Sequence, residues 1–357
     1  MSFVHIHGQD AAIATVRYAL TRDRLSHAYI FMGPAGVGKK CTALATAQAV
    51  LCRDRAADGC GSCSECTVVT AGTHPDLMLV GPEGGKQSIS IEQVRDLQRI
   101  LSLRPLHGRK KVAIVDDAHL LTPQAQSALL KIVEEPPGDA LLMLLTVNAA
   151  TLSRPLLSRC QQVRFSTLPL PVVEQLVLQH KDEDQEAARA RALYSRGSIG
   201  RALALDPQLF TEERRYVEEE LQKLHDPSFS FTDLSRFAEW LVADRVRKST
   251  KTSEVSEDIT AGSNRLEIVL SWCEEVLRYA LLGPEGVVRH QENLTAIAQT
   301  ASQVGEDGAL QQLTVVYETI QALGRNANRQ LAVEDMLLQL QRTKPEGQGW
   351  KSLTHTT

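Results

Sequence analysis

No apolar run in the 357-residue sequence reaches the length of a membrane span, so no transmembrane helix is expected. The opening stretch, MSFVHIHGQDAAIATVRYAL, lacks a basic region followed by an apolar core, so no secretion signal is expected either. Excess positive charge is also missing. A formal net charge of −4 argues against a chain that coats nucleic acid through bulk electrostatics, leaving room only for a local basic patch. No repeat of fixed period is found. What is present is ordinary globular composition, 43% apolar and 23% charged, in a chain long enough for two or three domains.

The first half alternates strand and helix patterns. AYIFMG (28–33), DLMLV (76–80), KVAIVDD (111–117) and LLMLLTV (141–147) are short apolar runs of the buried-strand type. KKCTALATAQAVL (39–51), SIEQVRDLQRIL (90–101) and TPQAQSALLKIVEE (122–135) have helical spacing, with Ser90 opening one helix, Thr122 capping another and Pro123 at its first position. That alternation predicts an α/β domain whose parallel sheet is covered on both faces. Beyond about residue 166 only helical patterns remain. LPVVEQLVLQH (170–180), EAARARALYS (186–195) and SIGRALALD (198–206) predict a small three-helix unit, and 208–343 a separate all-α domain. The polar segment 247–264 is expected to be a mobile connection, and the tail 344–357 to be disordered.

Two stretches bring phosphate chemistry to mind. FMGPAGVGKKCTA sits between a strand and a helix and places Gly33, Gly38 and Lys39 as in a G-x-x-x-x-G-K-[ST] loop, with Gly36 inside it. Glycines let backbone N–H groups wrap a phosphate, and Lys39 would supply the point charge. The following hydroxyl, which would hold Mg²⁺, is replaced by Lys40. VAIVDDAHLL (112–121) ends a strand in Asp116 and Asp117: Asp116 is placed to reach Mg²⁺, and Asp117 is a methylene short of the usual general-base glutamate, the plainer alternative being that both simply cap the next helix.

Four of the seven cysteines crowd into residues 52–66 as C-x7-C-x2-C-x2-C. In a chain without a secretion signal this reads as a metal site in a reducing cytoplasm. Cys52, Cys60, Cys63 and Cys66 would close a tetrahedral, structural zinc shell; an iron–sulfur cluster and unligated thiols are the weaker readings. Cys41, Cys160 and Cys273 stand alone and are read as packed thiols.

Gly8–Gln9, SHAYIFMGPAGVGK, the four-cysteine module, DDAHLLTPQAQSALLKIVEEPP and SRC occur in the order of the clamp-loader branch of the AAA+ ATPases. The chain resembles that family strongly over residues 1 to about 206, and beyond that by architecture alone. The resemblance implies a RecA-like AAA+ domain (1–166) with a zinc module (52–66), a helical lid (167–207) and a helical collar (208–343). It further implies a five-subunit ring with the gamma/tau and delta subunits of bacterial DNA polymerase III, which opens a sliding clamp around primed DNA. Within that pattern Thr146 matches the first sensor, although a polar strand terminus is an equal reading. Ser158, Arg159 and Cys160 match the S-R-C motif, whose arginine reaches in trans into a neighbour's nucleotide site.

Three departures separate the chain from the motor subunits: Lys40 for the hydroxyl, Asp117 for the glutamate, and Gly200 where GS-x-R carries an arginine. Arg201 is one residue later, about 100° round a helix. Together they imply a rigid member that hydrolyses ATP weakly or not at all, with ATP or ADP binding left open. A gamma/tau-type motor that tolerates Lys40 is the first rival, and it must place an ammonium beside Mg²⁺. A zinc knuckle that grips DNA is the second, but CGSCSEC has no basic or aromatic residue between its cysteines.

Overall fold

Five strands form one parallel sheet: β1 (Ala28–Met32), β2 (Leu77–Val80), β3 (Lys111–Val115), β4 (Ala140–Thr146) and β5 (Gln161–Arg164), in the order β2-β3-β4-β1-β5. They belong to a computed structural model that describes residues 2–54, 58–83, 88–107, 110–224, 226, 228–243, 261–287, 289–290, 293–323 and 327–343. The chain divides into two compact units, Met1–Leu205 and Asp206–Thr357.

The first unit interleaves the strands with α1 (Asp10–Thr21), α2 (Lys39–Leu51), α3 (Ser64–Thr70), α4 (Ile91–Leu101), α5 (Pro123–Glu134) and α6 (Arg154–Arg159). The period of two along β1 sorts its side chains. Tyr29 and Phe31 enter a core with Ile13 and Val16 of α1 and Ala43 and Ala47 of α2. Ala28 and Ile30 face a second core with Leu97 of α4 and Leu129 of α5. Both faces are thus covered, which a parallel sheet with crossover helices requires. Local chemistry agrees with the elements: Ser90 and Gln93 form a capping box on α4, and Thr122 caps α5 with Pro123 in its first turn. The strand β5 escapes an apolar-run criterion because Val163 is its one buried residue.

Within the same unit α7 (Leu170–His180), α8 (Gln185–Tyr194) and α9 (Ile199–Ala204) share a small core that includes Val173, Val177, Ala188 and Ala202. Arg191 is buried among them. Its guanidinium pairs with Glu183 and donates to the carbonyls of Ala202 and Leu205, so α8 and the end of α9 are tied by charge-assisted bonds. The sheet and its helices form the expected α/β architecture, a parallel sheet covered on both faces.

The second unit is all-α: α10 (Pro207–Lys223), α11 (Phe231–Val242), α12 (Ala261–Leu282), α13 (Leu294–Leu323, interrupted at Gly305) and α14 (Arg329–Arg342). Leu221, Phe237, Val269, Trp272, Val304 and Met336 are among its core residues. A polar network runs through that core: Glu218 accepts from Arg214 at 2.7 Å and meets His290 Nδ1 at 2.5 Å, while His290 Nε2 meets Ser271 Oγ at 3.0 Å. Of the segment expected to be a mobile connection, 247–260 lies outside the described residues, whereas 261–264 open α12 and are helical. The tail 344–357 also lies outside them. No helix among the described residues is long and apolar enough to cross a membrane.

Candidate functional site

The Gly-rich loop follows β1 at the carboxyl end of the sheet, the edge at which open α/β sheets bind ligands. Gly36 (φ 68°) and Gly38 (φ 103°) adopt left-handed backbone, and Gly38 precedes the first residue of α2. Lys39 is 8% exposed and folds back onto its own loop, donating to the carbonyl oxygens of Gly33 and Pro34 at 2.6 Å each. Burial lowers its pKa, against the opposing pull of Asp116 and Asp117. Lys40 turns the other way: its Nζ lies 3.1 Å from Oδ2 of Asp116. Lys40, at the position where the loop pattern expects a hydroxyl, thereby pairs with the carboxylate at the end of β3.

Asp117 has left-handed backbone (φ 50°) and makes no side-chain cap bond to the turn that follows, so a capping role does not describe it. Burial raises its pKa, and the Asp116 charge adds to the rise. Thr146 is buried at the end of β4, where its hydroxyl donates to Asn148 O and accepts from Asn148 N, closing the turn after the strand.

The helix α9 rests on the loop. Gly200 N–H donates to Gly36 O at 3.0 Å. A Cβ on Gly200 would stand 3.0 Å from Gly36 Cα, and a Cβ on Gly36 would stand 2.3 Å from Ser198 Oγ. The family resemblance expects an arginine at Gly200; in the structure the missing side chain admits this close backbone approach. Burial, with Arg196 close by, pushes the adjacent Arg201 down to about 10. Gln9, in the Gly-Gln pair, is buried and donates to Val37 O of the loop and to Ser166 O, and accepts from Ser166 N. It braces the loop against the chain leading into α7.

The four cysteine sulfurs lie within 4.8 Å of one another, with Cys60 Sγ and Cys66 Sγ 3.8 Å apart. Sulfurs at tetrahedral zinc with bonds of about 2.3 Å are separated by about 3.8 Å, so the donor set fits that ion. Backbone N–H groups already aim at the sulfurs: Cys60 N–H donates to Cys52 Sγ and Cys63 N–H to Cys60 Sγ at 3.3 Å, and Cys66 N–H to Cys63 Sγ at 3.5 Å. The bond from Cys66 N–H holds the Cys63 thiol down to about 6, while burial pushes Cys66 up to about 12. Glu65, between the ligand candidates, meets the buried His74 at 2.8 Å, which fastens the module to the chain entering β2. Among the lone cysteines, Cys160 and Cys273 are buried as expected. Cys41 is instead exposed, because the first turn of α2 directs Lys39 and Thr42 inward and Lys40 and Cys41 outward.

Arg159 ends the short helix α6 with 43% of its side chain exposed. Its Nη2 lies 2.9 Å from Glu134 Oε1 at the end of α5, and its Nη1 donates to Pro155 O at 3.2 Å. Neither partner was foreseen from the sequence. At the other end of α6, Ser153 N–H donates to the buried Gln126 Oε1 at 2.8 Å, and Gln126 Nε2 donates to Thr151 O at 3.1 Å. Burial pushes the adjacent Cys160 thiol up to about 12.

Residues 8–169 match the family model described as DNA polymerase III, delta subunit. Over 324 residues, 90% of this chain and 93% of the relative, the sequence is 30% identical to DNA polymerase III subunit delta' of Bacillus subtilis. The chain belongs to the DNA polymerase III delta' family. A delta' subunit of Pseudomonas aeruginosa is 37% identical over 208 residues, 57% of this chain and 62% of that protein. The Escherichia coli tau subunit is 30% identical over 213 residues, 58% of this chain but 33% of tau. The delta' family thus accounts for nearly the whole chain, the helical unit included, and makes it a clamp-loader subunit.

Proposed function

We propose that this delta' chain acts as a non-hydrolysing or weakly hydrolysing member of the clamp loader, and that its catalytic contribution is made in trans by Arg159. The Lys40–Asp116 pair carries the first half of this reading. A loop that turns over ATP needs a hydroxyl and a free carboxylate around Mg²⁺. Here an ammonium neutralises that carboxylate, and Lys39 is spent on the loop's own carbonyls. ATP or ADP would bind only after Lys39 leaves Gly33 O and Pro34 O for a phosphate.

The second half rests on Arg159, whose exposed guanidinium matches the S-R-C motif. In a neighbouring gamma/tau subunit it would stabilise charge on the transferring phosphoryl group, an effect worth about 10³ or more in rate. The four cysteines would hold a structural Zn²⁺, leaving no open coordination position for catalysis. The assembly is read as a five-membered ring with gamma/tau and delta, acting on a sliding clamp and primed DNA.

The deciding experiment reconstitutes the assembly with Arg159→Ala. DNA-stimulated ATP turnover should collapse while assembly stays intact; unchanged turnover refutes the trans role. In parallel, the isolated chain should show no ATP turnover above a Lys39→Ala control.

A further inference from the structure

We propose that Glu134 is a positioning residue for Arg159, holding the guanidinium in the orientation from which it reaches a phosphate on a neighbouring subunit. This inference rests on the trans role proposed for Arg159 and adds a second residue to it.

Glu134 and Arg159 are the last residues of α5 and α6, and their side chains meet at 2.9 Å. Arg159 Nη1 also donates to Pro155 O at 3.2 Å and lies 3.5 Å from Ser158 Oγ. A guanidinium has five N–H donors in a planar fork. These three acceptors fix it in place and leave donors over for an external anion.

The pair is not what packs the two helices. Leu129 and Leu156 are buried in their shared core, and Gln126 anchors the start of α6 through Ser153 N–H. With 43% and 41% of the two side chains exposed, the ion pair adds little to stability. What it does is select one conformer of a long, otherwise mobile side chain. A group ordered beforehand loses less freedom on meeting the transferring phosphate.

The test compares Glu134→Ala, Glu134→Gln, Arg159→Ala and the double variant in gel-filtered, reconstituted assemblies, with turnover expressed per assembled complex. Glu134→Ala should lower the kcat of DNA-stimulated ATP hydrolysis about fivefold with KM for ATP unchanged. Glu134→Gln, which keeps an oxygen acceptor in place, should stay within about twofold of the parent. The double variant should be no slower than Arg159→Ala, because the two residues act as one unit. Parental kcat in Glu134→Ala, an equal loss in Glu134→Gln, or the same further loss on the Arg159→Ala background each overturns the positioning role. If Arg159→Ala itself leaves turnover unchanged, the trans reading fails first and takes this inference with it.

Discussion

Lys40 Nζ and Asp116 Oδ2 lie 3.1 Å apart, an ion pair that joins the glycine loop after β1 to the end of β3. On the reading proposed above, Lys40 would do more than remove a hydroxyl, since its ammonium also occupies the Asp116 carboxylate. Lys39 completes this closed arrangement by donating to two carbonyls of its own loop.

Lys40→Thr should release Asp116 and remove the ammonium from beside the metal position. Both the pair's exposure, 57% and 33%, and its surface location mean that stability should change by only about 1 kcal/mol or less. Affinity for Mg²⁺·ATP, followed by titration calorimetry, should rise by about tenfold or more, since a like charge is removed from a partly desolvated site. Hydrolysis by the isolated chain should remain at background, because Asp117 and Gly200 are untouched. Turnover restored by this one substitution would show that those two departures are not disabling.

The approach of Gly200 to Gly36 gives a graded prediction about α9. Gly200→Ala must push Gly36 Cα back from a 3.0 Å contact, at a cost of about 1–2 kcal/mol. Gly36→Ala should cost more. It adds the left-handed strain of φ 68°, about 1–2 kcal/mol, to a 2.3 Å encounter with Ser198 Oγ. Amide exchange in residues 198–204 should accelerate in both variants, and further in Gly36→Ala. Exchange that is unchanged in Gly36→Ala would mean that α9 does not depend on this contact.

The chain should carry one zinc ion. Cobalt substitution should give the absorption of a tetrahedral thiolate site, and Cys60→Ser should weaken or abolish it. Chelation should expose the 52–70 segment to proteolysis, because zinc binding to small thiolate modules contributes on the order of 10 kcal/mol to their folding. Acid should release the metal as the thiolates protonate. A chain purified without chelator that contains no stoichiometric zinc would leave the four sulfurs as free thiols.

The cysteine spacing, the strand β1 and the glycine loop were legible in sequence because each is a local pattern. Consecutive x2 spacings, an unbroken apolar run and closely spaced glycines need no partner to be recognised. Lys40 could be recognised as a replacement, but its pairing with Asp116 depends on how the loop after β1 and the end of β3 converge. Gly200 behaves likewise: the missing arginine is visible, whereas the reason for a glycine lies 164 positions earlier, at Gly36. Glu134 lies inside the family stretch DDAHLLTPQAQSALLKIVEEPP, yet nothing there pointed to Arg159, since one acid at a helix end is ordinary until the end of α6 is placed beside it. Strand β5 was missed for the converse reason, a polar edge with one buried residue.

The core of the helical unit offers a pH-dependent test. Burial alone would raise the pKa of Glu218, but its bond to His290 and the charge of Arg214 more than offset this, so it titrates below its ordinary 4.5. A folded-state pKa below the unfolded one stabilises the fold fully above the unfolded carboxyl range. That contribution is lost as pH falls through the depressed folded value. Glu218→Gln should therefore destabilise the unit by about 3–5 kcal/mol near pH 7, where Arg214 and His290 lose a buried anion. The gap to the parent should narrow steadily as pH falls from about 5 towards 3. Tryptophan fluorescence during urea unfolding reads this unit selectively, because Trp240, Trp272 and Trp350 all lie in Asp206–Thr357. A stability gap that stays constant across that acid range would mean that the Glu218 charge is not what the substitution removes.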